Sequence, residues 1–250
     1  FNKYKISHYF IFSFAFLNYY VAILLRQFIK PNSDGVLLYG HKLLGNLEII
    51  FKDERFSEKN VLFITLNFKD YLKLKKIYGD RVLTALNIIQ ILRGLKCKTL
   101  IASHGIFLHN AIKKLGIKTI YCGHAIHGAI TKDTDNIFYE AFHEVLLHSP
   151  YDKEIMTQEN EYKGFNLNVT GFPRNQAMLE NIINITRLKN NNNLNGRKVI
   201  LYAPTGNRNN IDYIESEFSI SNINFIKFIR DTLSNSDIVL IIKNHINDDI

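Results

Sequence analysis

Two imidazoles and two glycines crowd one short stretch, "TIYCGHAIHGAITK" (residues 119–132), in which an apolar strand-like run ends at Gly123 and is followed by His124, His127 and Gly128. A histidine of ordinary pKa, about 6.5, accepts a proton readily at neutral pH, and a glycine beside it lets a ligand reach the backbone. In open α/β sheets ligands bind beyond the carboxyl ends of strands, where helix N-termini turn N–H groups toward an anion. Four further stretches share that placement: "HSPYDKEIM" (148–156), "VTGFPRN" (169–175), "YAPTGNR" (202–208) and "IIKNH" (241–245). Taken one at a time, each also fits an ordinary structural role. His127 could be a core histidine bonded to a carbonyl, Pro173 a turn former with Arg174 solvated beside it, and Pro204 with Thr205 a plain strand exit. His245 could lie on the surface, Ser149–Pro150 could simply open a helix, and "ASHGIFLHN", with His104 and His109, reads as a helix entry.

These stretches need a scaffold, and the chain predicts one. From Gly35 onward short apolar strands ("GVLLYG", "NVLFITL", "KTLIASHG", "KTIYCGH", "EVLLHS") alternate with helical stretches over residues 70–79, 81–95 and 106–116. That alternation is the pattern of a parallel sheet flanked by helices. The asparagine-rich "KNNNNLNGRK" (189–198) reads as a flexible surface connection, after which a second series begins: strand "KVILYAPT", helix "INFIKFIRDTLSN", strand "DIVLIIKNH". Two α/β lobes follow, residues 31–185 and 197–250, with a break between them and an apolar segment, residues 1–30, ahead of both. The chain starts with Phe1 and stops just after a buried-looking strand, so it reads as a fragment whose second lobe is incomplete.

Residues 9–25, "YFIFSFAFLNYYVAILL", closed by Arg26 and Lys30, are the most apolar stretch. They suit a packing helix, an interfacial membrane helix with aromatic anchors, or a short span, but not a cleaved secretory signal. Across 250 residues, 31 Lys and Arg outnumber 23 Asp and Glu, for a net charge of +8, and 46% of residues are hydrophobic. The basic surplus favours anionic partners. With no nucleic-acid-reading motif, phosphate-bearing small molecules or an anionic membrane surface stand ahead of nucleic acid. Cys97 and Cys122 lack metal or redox spacing, so no disulfide framework and no metal site is expected, and a reducing compartment fits.

In chain order, "HGAITK", "VTGFPRN", "ILYAPT" followed by Arg208, and "IIKNH" resemble the motif series of the CDP-glycerol glycerophosphotransferases of teichoic-acid and capsule synthesis. The resemblance implies a GT-B-like fold, with two Rossmann-like lobes facing a cleft. It implies a transferase that moves glycerophosphate, or a similar polyol phosphate, from a CDP-activated donor to a hydroxyl of a lipid-linked polymer acceptor. Peripheral attachment to the cytoplasmic face of the membrane, without a cofactor, goes with it. His127 would be the base, with His245 a second catalytic residue. Gly128 would leave room for the acceptor, and Lys132, Arg174, Arg208 and Thr205 would meet the phosphates. Asn175 would orient phosphate or acceptor, and His124 stays unassigned between a supporting and a structural role. Phosphoryl transfer asks little covalent work of a protein and much positioning and electrostatics, which suits this residue set. Two other functions fit the same chain: a GT-B glycosyltransferase using a sugar nucleotide, and a non-catalytic polymer- or nucleotide-binding module.

Overall fold

The computed structural model describes residues 6–30, 32–56, 60–123, 140–158, 166–180, 185–202, 222–233 and 237–242. The chain divides into two compact units, Phe1–Glu180 and Asn181–Ile250.

The first unit is built on seven parallel strands: β1 (Asn32–Tyr39), β2 (Val61–Thr65), β3 (Val82–Thr84), β4 (Cys97–Ala102), β5 (Lys118–Tyr121), β6 (Glu144–Leu147) and β7 (Asn166–Val169). Their order across the sheet is β3-β2-β1-β4-β5-β6-β7, so the winding reverses between β1 and β4. All five residues of β2 are buried, as an interior strand covered on both faces requires. Alternate side chains feed two cores. On one face Leu37, Leu62, Ile64, Leu100 and Val145 join helices α1 (Ile6–Arg26), α4 (Ile88–Leu95), α5 (His109–Lys114) and α6 (Pro150–Gln158). On the other, Leu38, Val61 and Phe63 meet Leu47, Ile50 and Phe51 of α2 (Asn46–Lys52) and Tyr71 and Leu74 of α3 (Phe68–Tyr78). Period-2 alternation in the strands thus divides the apolar residues between two helix layers. At Gly35 the strands come so close that an added Cβ would sit 2.8 Å from the Cys97 sulfur.

Helix α1, within the segment 1–30 that the sequence sets apart, packs on the first unit. Ala15, Tyr19, Ala22, Ile23 and Arg26 form a buried stripe at helical spacing, and α1 packs on α4 along it. Phe12, Phe16 and Tyr19 meet the Phe107 ring edge-on, with centroids 5.1, 5.6 and 5.8 Å away. Arg26 closes the helix by donating from Nε to the Leu95 carbonyl and from Nη1 to the Ile29 carbonyl, both at 2.6 Å. The opposite side of α1 exposes Phe10, Phe14, Leu17 and Leu24, and Phe28 is exposed in the turn that follows the helix. Its window Tyr9–Arg26 has a mean hydropathy of 1.5, enough by length and composition to cross a membrane.

The helix expected over residues 81–95 is shorter than the sequence suggests. Val82–Thr84 pair with β2 as the edge strand β3, and α4 begins only at Ile88, with the Asn87 side chain accepting from the Gln90 N–H. Three consecutive apolar or β-branched residues carry no period, so burial beside β2 decides their state. Likewise Ile106–Leu108 precede α5 as irregular chain rather than as its first turn. In the second unit β8 (Lys198–Tyr202) and β9 (Ile238–Ile242) pair in parallel, and helix α9 (Asn222–Leu233) lies between them in sequence. Helix α8 (Ile185–Asn191) occupies the start of the stretch read as a polar break.

Replacing Arg26 by Met would leave the Leu95 and Ile29 carbonyls without their donor. We expect a loss of about 2 kcal/mol, the usual cost of an unsatisfied buried acceptor, read as a lower urea midpoint at constant slope.

Candidate functional site

The carboxyl edge of β5, β6 and β7 gathers residues from three of the singled-out stretches. After Tyr121, Gly123 turns the chain with φ +69°, and an added Cβ there would lie 2.5 Å from the Phe172 ring. Only a glycine tolerates both the left-handed backbone and the ring. Phe172 follows β7 and is 2% exposed; it precedes Pro173, which opens α7 (Pro173–Glu180) at the position proline favours. The Arg174 guanidinium lies over the Phe172 ring, 5.5 Å from its centroid, within cation–π range. On the β6 side the His148 imidazole meets the same ring at 5.5 Å and 60°.

A residue no motif pointed to ties these pieces together. Asn46, first residue of α2 and 3% exposed, donates from Nδ2 to the carbonyls of Cys122 (2.8 Å) and Gly123 (2.9 Å). Its Oδ1 accepts the Arg174 backbone N–H at 3.1 Å. That N–H belongs to the first turn of α7, where no intrahelical carbonyl serves it, so Asn46 acts as a cap supplied from 128 residues away. One buried carboxamide therefore holds the exit of β5 and the start of α7 in fixed relation.

Arg174 and Asn175 are the two sequence-selected site residues that fall within the described chain. Both are half-buried in the first turn of α7, and the Asn175 N–H bonds the Phe172 carbonyl at 2.9 Å. His124, His127, Gly128 and Lys132 lie outside the described residues, as do Thr205, Arg208 and His245. The chain enters the first group directly after Gly123. In the second unit Tyr202 pairs with Ile242, so β8 and β9 end at one level, and Thr205 and His245 each come three residues later in sequence. Ser149 caps α6 by accepting the Asp152 N–H at 3.2 Å, and Pro150 is its first residue, as the helix-start reading expects. His109 opens α5.

Topology shows what no motif carried. At the β1–β4 reversal, His41 follows β1 and His104 follows β4, each two residues beyond the paired Tyr39 and Ala102. Reversals of this kind are where open sheets admit ligands. Burial pushes the His41 imidazole below its ordinary value, and neighbouring positive charge adds to the effect. His104 Nδ1 and Ser103 Oγ lie 2.9 Å apart. Cys122 borders the site, but burial pushes its thiol up to about 12, so it is no nucleophile at neutral pH. No group of three metal-ligating side chains occurs among the described residues.

Gly123→Ala imposes the left-handed cost, roughly 1–2 kcal/mol, together with overpacking of about 1–3 kcal/mol against Phe172. The expected sum is about 3 kcal/mol in denaturant unfolding. Phe172→Leu in the same chain should recover the overpacking share and leave the backbone share, which a double-mutant cycle separates.

Comparison with known proteins gives these features a context. No curated protein sequence matches the chain. Among solved structures it is similar to the wall teichoic acid polymerase TagF, with TM-score 0.58 at 12% identity over 96% of this chain and 65% of that one. A histidine-to-alanine variant of TagF aligns at TM-score 0.60 and 13% identity, covering 97% of this chain and 66% of the other. A histidine-to-asparagine variant of TagF soaked with CDPG aligns at 0.58 and 12%, covering 97% and 65%. The chain thus spans just under two thirds of the TagF chains, and the likeness shows the α/β, GT-B-like fold. Residues 100–249, with all four motifs inside them, match the family described as CDP-Glycerol:Poly(glycerophosphate) glycerophosphotransferase. With three fifths of its length inside that match, the chain belongs to the CDP-glycerol:poly(glycerophosphate) glycerophosphotransferase family.

Proposed function

We propose that this protein transfers glycerophosphate, or a closely similar polyol phosphate, from a CDP-activated donor to a hydroxyl of a lipid-linked wall or capsule polymer. The observation that carries the reading is the family match over residues 100–249, which takes in the segment after β5, the start of α7 and the exits of β8 and β9. The arrangement around Asn46 supports it, because it sets a half-buried arginine and a helix start beside the chain that leads into His127. In this reading the acceptor hydroxyl oxygen attacks the glycerol-bearing phosphorus of the donor. The new P–O bond forms as the bond to CMP breaks, the hydroxyl proton passes to His127, and CMP leaves with the electron pair. Gly128 leaves space for the acceptor beside the base, while Lys132, Arg174, Arg208 and His245 balance phosphate charge through charge-assisted hydrogen bonds. Thr205 and Asn175 orient the phosphate or acceptor.

The measurement is CMP release and polymer extension from CDP-glycerol. His127→Ala should lower kcat on the order of 10²–10⁴-fold with a smaller change in donor affinity, the signature of a lost base. UDP or GDP release from a sugar nucleotide would favour the glycosyltransferase reading. Binding of polymer without turnover of any activated donor would favour a binding module.

The same reading includes peripheral attachment at the cytoplasmic face of the membrane through the outward side of α1. Phe10, Phe14, Leu17 and Leu24 repeat there at helical spacing on a chain of net charge +8, a combination that suits insertion into an anionic interface. Buried, unpaired Cys97 and Cys122 agree with a reducing compartment. Phe14→Ser with Leu17→Ser spares the stripe that packs on α4. It should abolish flotation with vesicles of anionic lipid while leaving thermal unfolding nearly unchanged; undiminished flotation would remove α1 from this role.

A further inference from the structure

His148 and Asp152 have no place in the transfer scheme, yet their geometry asks for one. Asp152, one turn into α6, is 1% exposed, and its Oδ2 has no hydrogen-bond partner among the described residues. An acidic residue in a first helical turn ordinarily serves the helix end from solvent. Here Ser149 already supplies the capping oxygen, to the Asp152 N–H itself. A buried carboxylate oxygen left without a donor is costly, so helix capping alone does not account for it.

A candidate donor is the His148 imidazole, whose Nδ1 lies 3.8 Å from that oxygen. The imidazole is 36% exposed and rests on Phe172, the same ring that carries the Arg174 guanidinium and occupies the space above Gly123. With Nδ1 toward Asp152, Nε2 is the nitrogen directed away from the buried carboxylate. The pattern is a histidine beside a carboxylate, with a guanidinium against the same supporting ring.

We propose that His148 is a phosphate-contacting residue of this site, with Nδ1–H donated to Asp152 and Nε2–H donated to a phosphate oxygen of the substrate beside Arg174. Asp152 is its positioning residue. The inference rests on the transferase reading only for which phosphate compound occupies the site; the anion contact itself stands on the geometry of His148, Asp152, Phe172 and Arg174.

Pyrophosphate is the probe, added to the intact chain and followed by calorimetry and by nitrogen–proton correlation of the histidine rings. In the unaltered protein, pyrophosphate should shift both ring nitrogens of His148 into the doubly protonated pattern. His148→Gln should weaken pyrophosphate binding about tenfold, the worth of one charge-assisted hydrogen bond. Asp152→Asn keeps the side-chain volume; it should weaken binding to a similar degree and remove the doubly protonated pattern, which a purely structural carboxylate would not do. If Asp152→Asn fails to fold, His148→Gln alters a partly exposed side chain and decides alone. Unchanged affinity in His148→Gln, unshifted His148 nitrogens, or no binding of pyrophosphate to the unaltered protein would each overturn the proposal. CMP release separates the two ideas. Transfer by the unaltered protein with pyrophosphate binding indifferent to His148 sinks this contact and spares the transferase. His148-dependent binding without transfer from CDP-glycerol does the reverse.

Discussion

The carboxyl edge of the first sheet depends on the hydrogen bonds of one carboxamide. Asn46 donates twice to the carbonyls that end the β5 segment, through buried bonds, and accepts once from the first turn of α7 through a partly buried one. A buried amide is stabilising only when its donors and acceptor are met, and here each side of the group serves a different element. Aspartate at this position would set a carboxylate against two carbonyl oxygens, and leucine would strand three backbone groups. Asparagine is the residue whose one end donates twice while the other accepts.

Around that clamp the site residues are held by contact rather than by local propensity. Gly123 admits the Phe172 ring, Arg174 and His148 both rest against that ring, and α2 packs on α7. Positioning is what the proposed transfer would ask of the protein, because phosphoryl transfer makes little covalent demand. A rigid parallel sheet with both faces covered supplies it. The Cys122 side chain, buried in the core beneath α2, belongs to that support.

Helix α1 shows one sequence segment serving two environments. Its small and aromatic stripe, Ala15, Tyr19 and Ala22, accepts α4 and Phe107, while larger apolar residues on the opposite face are exposed. The alternatives of packing helix and interfacial helix, posed from composition, are compatible because a helix has two sides.

Much was determined by the sequence alone. Short apolar strands alternating with helices specify a parallel α/β sheet, because strand length and hydrophobic period are local properties of the chain. The same local reading set "GHAIHG" and "VTGFPRN" at strand ends, since glycine and proline punctuate elements where they stand in sequence. Tertiary structure alone decided the rest. Val82–Thr84 became a strand because β2 lay beside them. Asn46 became the clamp because its partners stand 76, 77 and 128 residues further along the chain. Phe172 and Gly123 require one another across β6, and the fold buries an Asp152 oxygen that has no donor among the described residues. Such contacts join residues whose spacing carries no periodic signal; the winding of the sheet brings them together, and burial makes each of their hydrogen bonds matter.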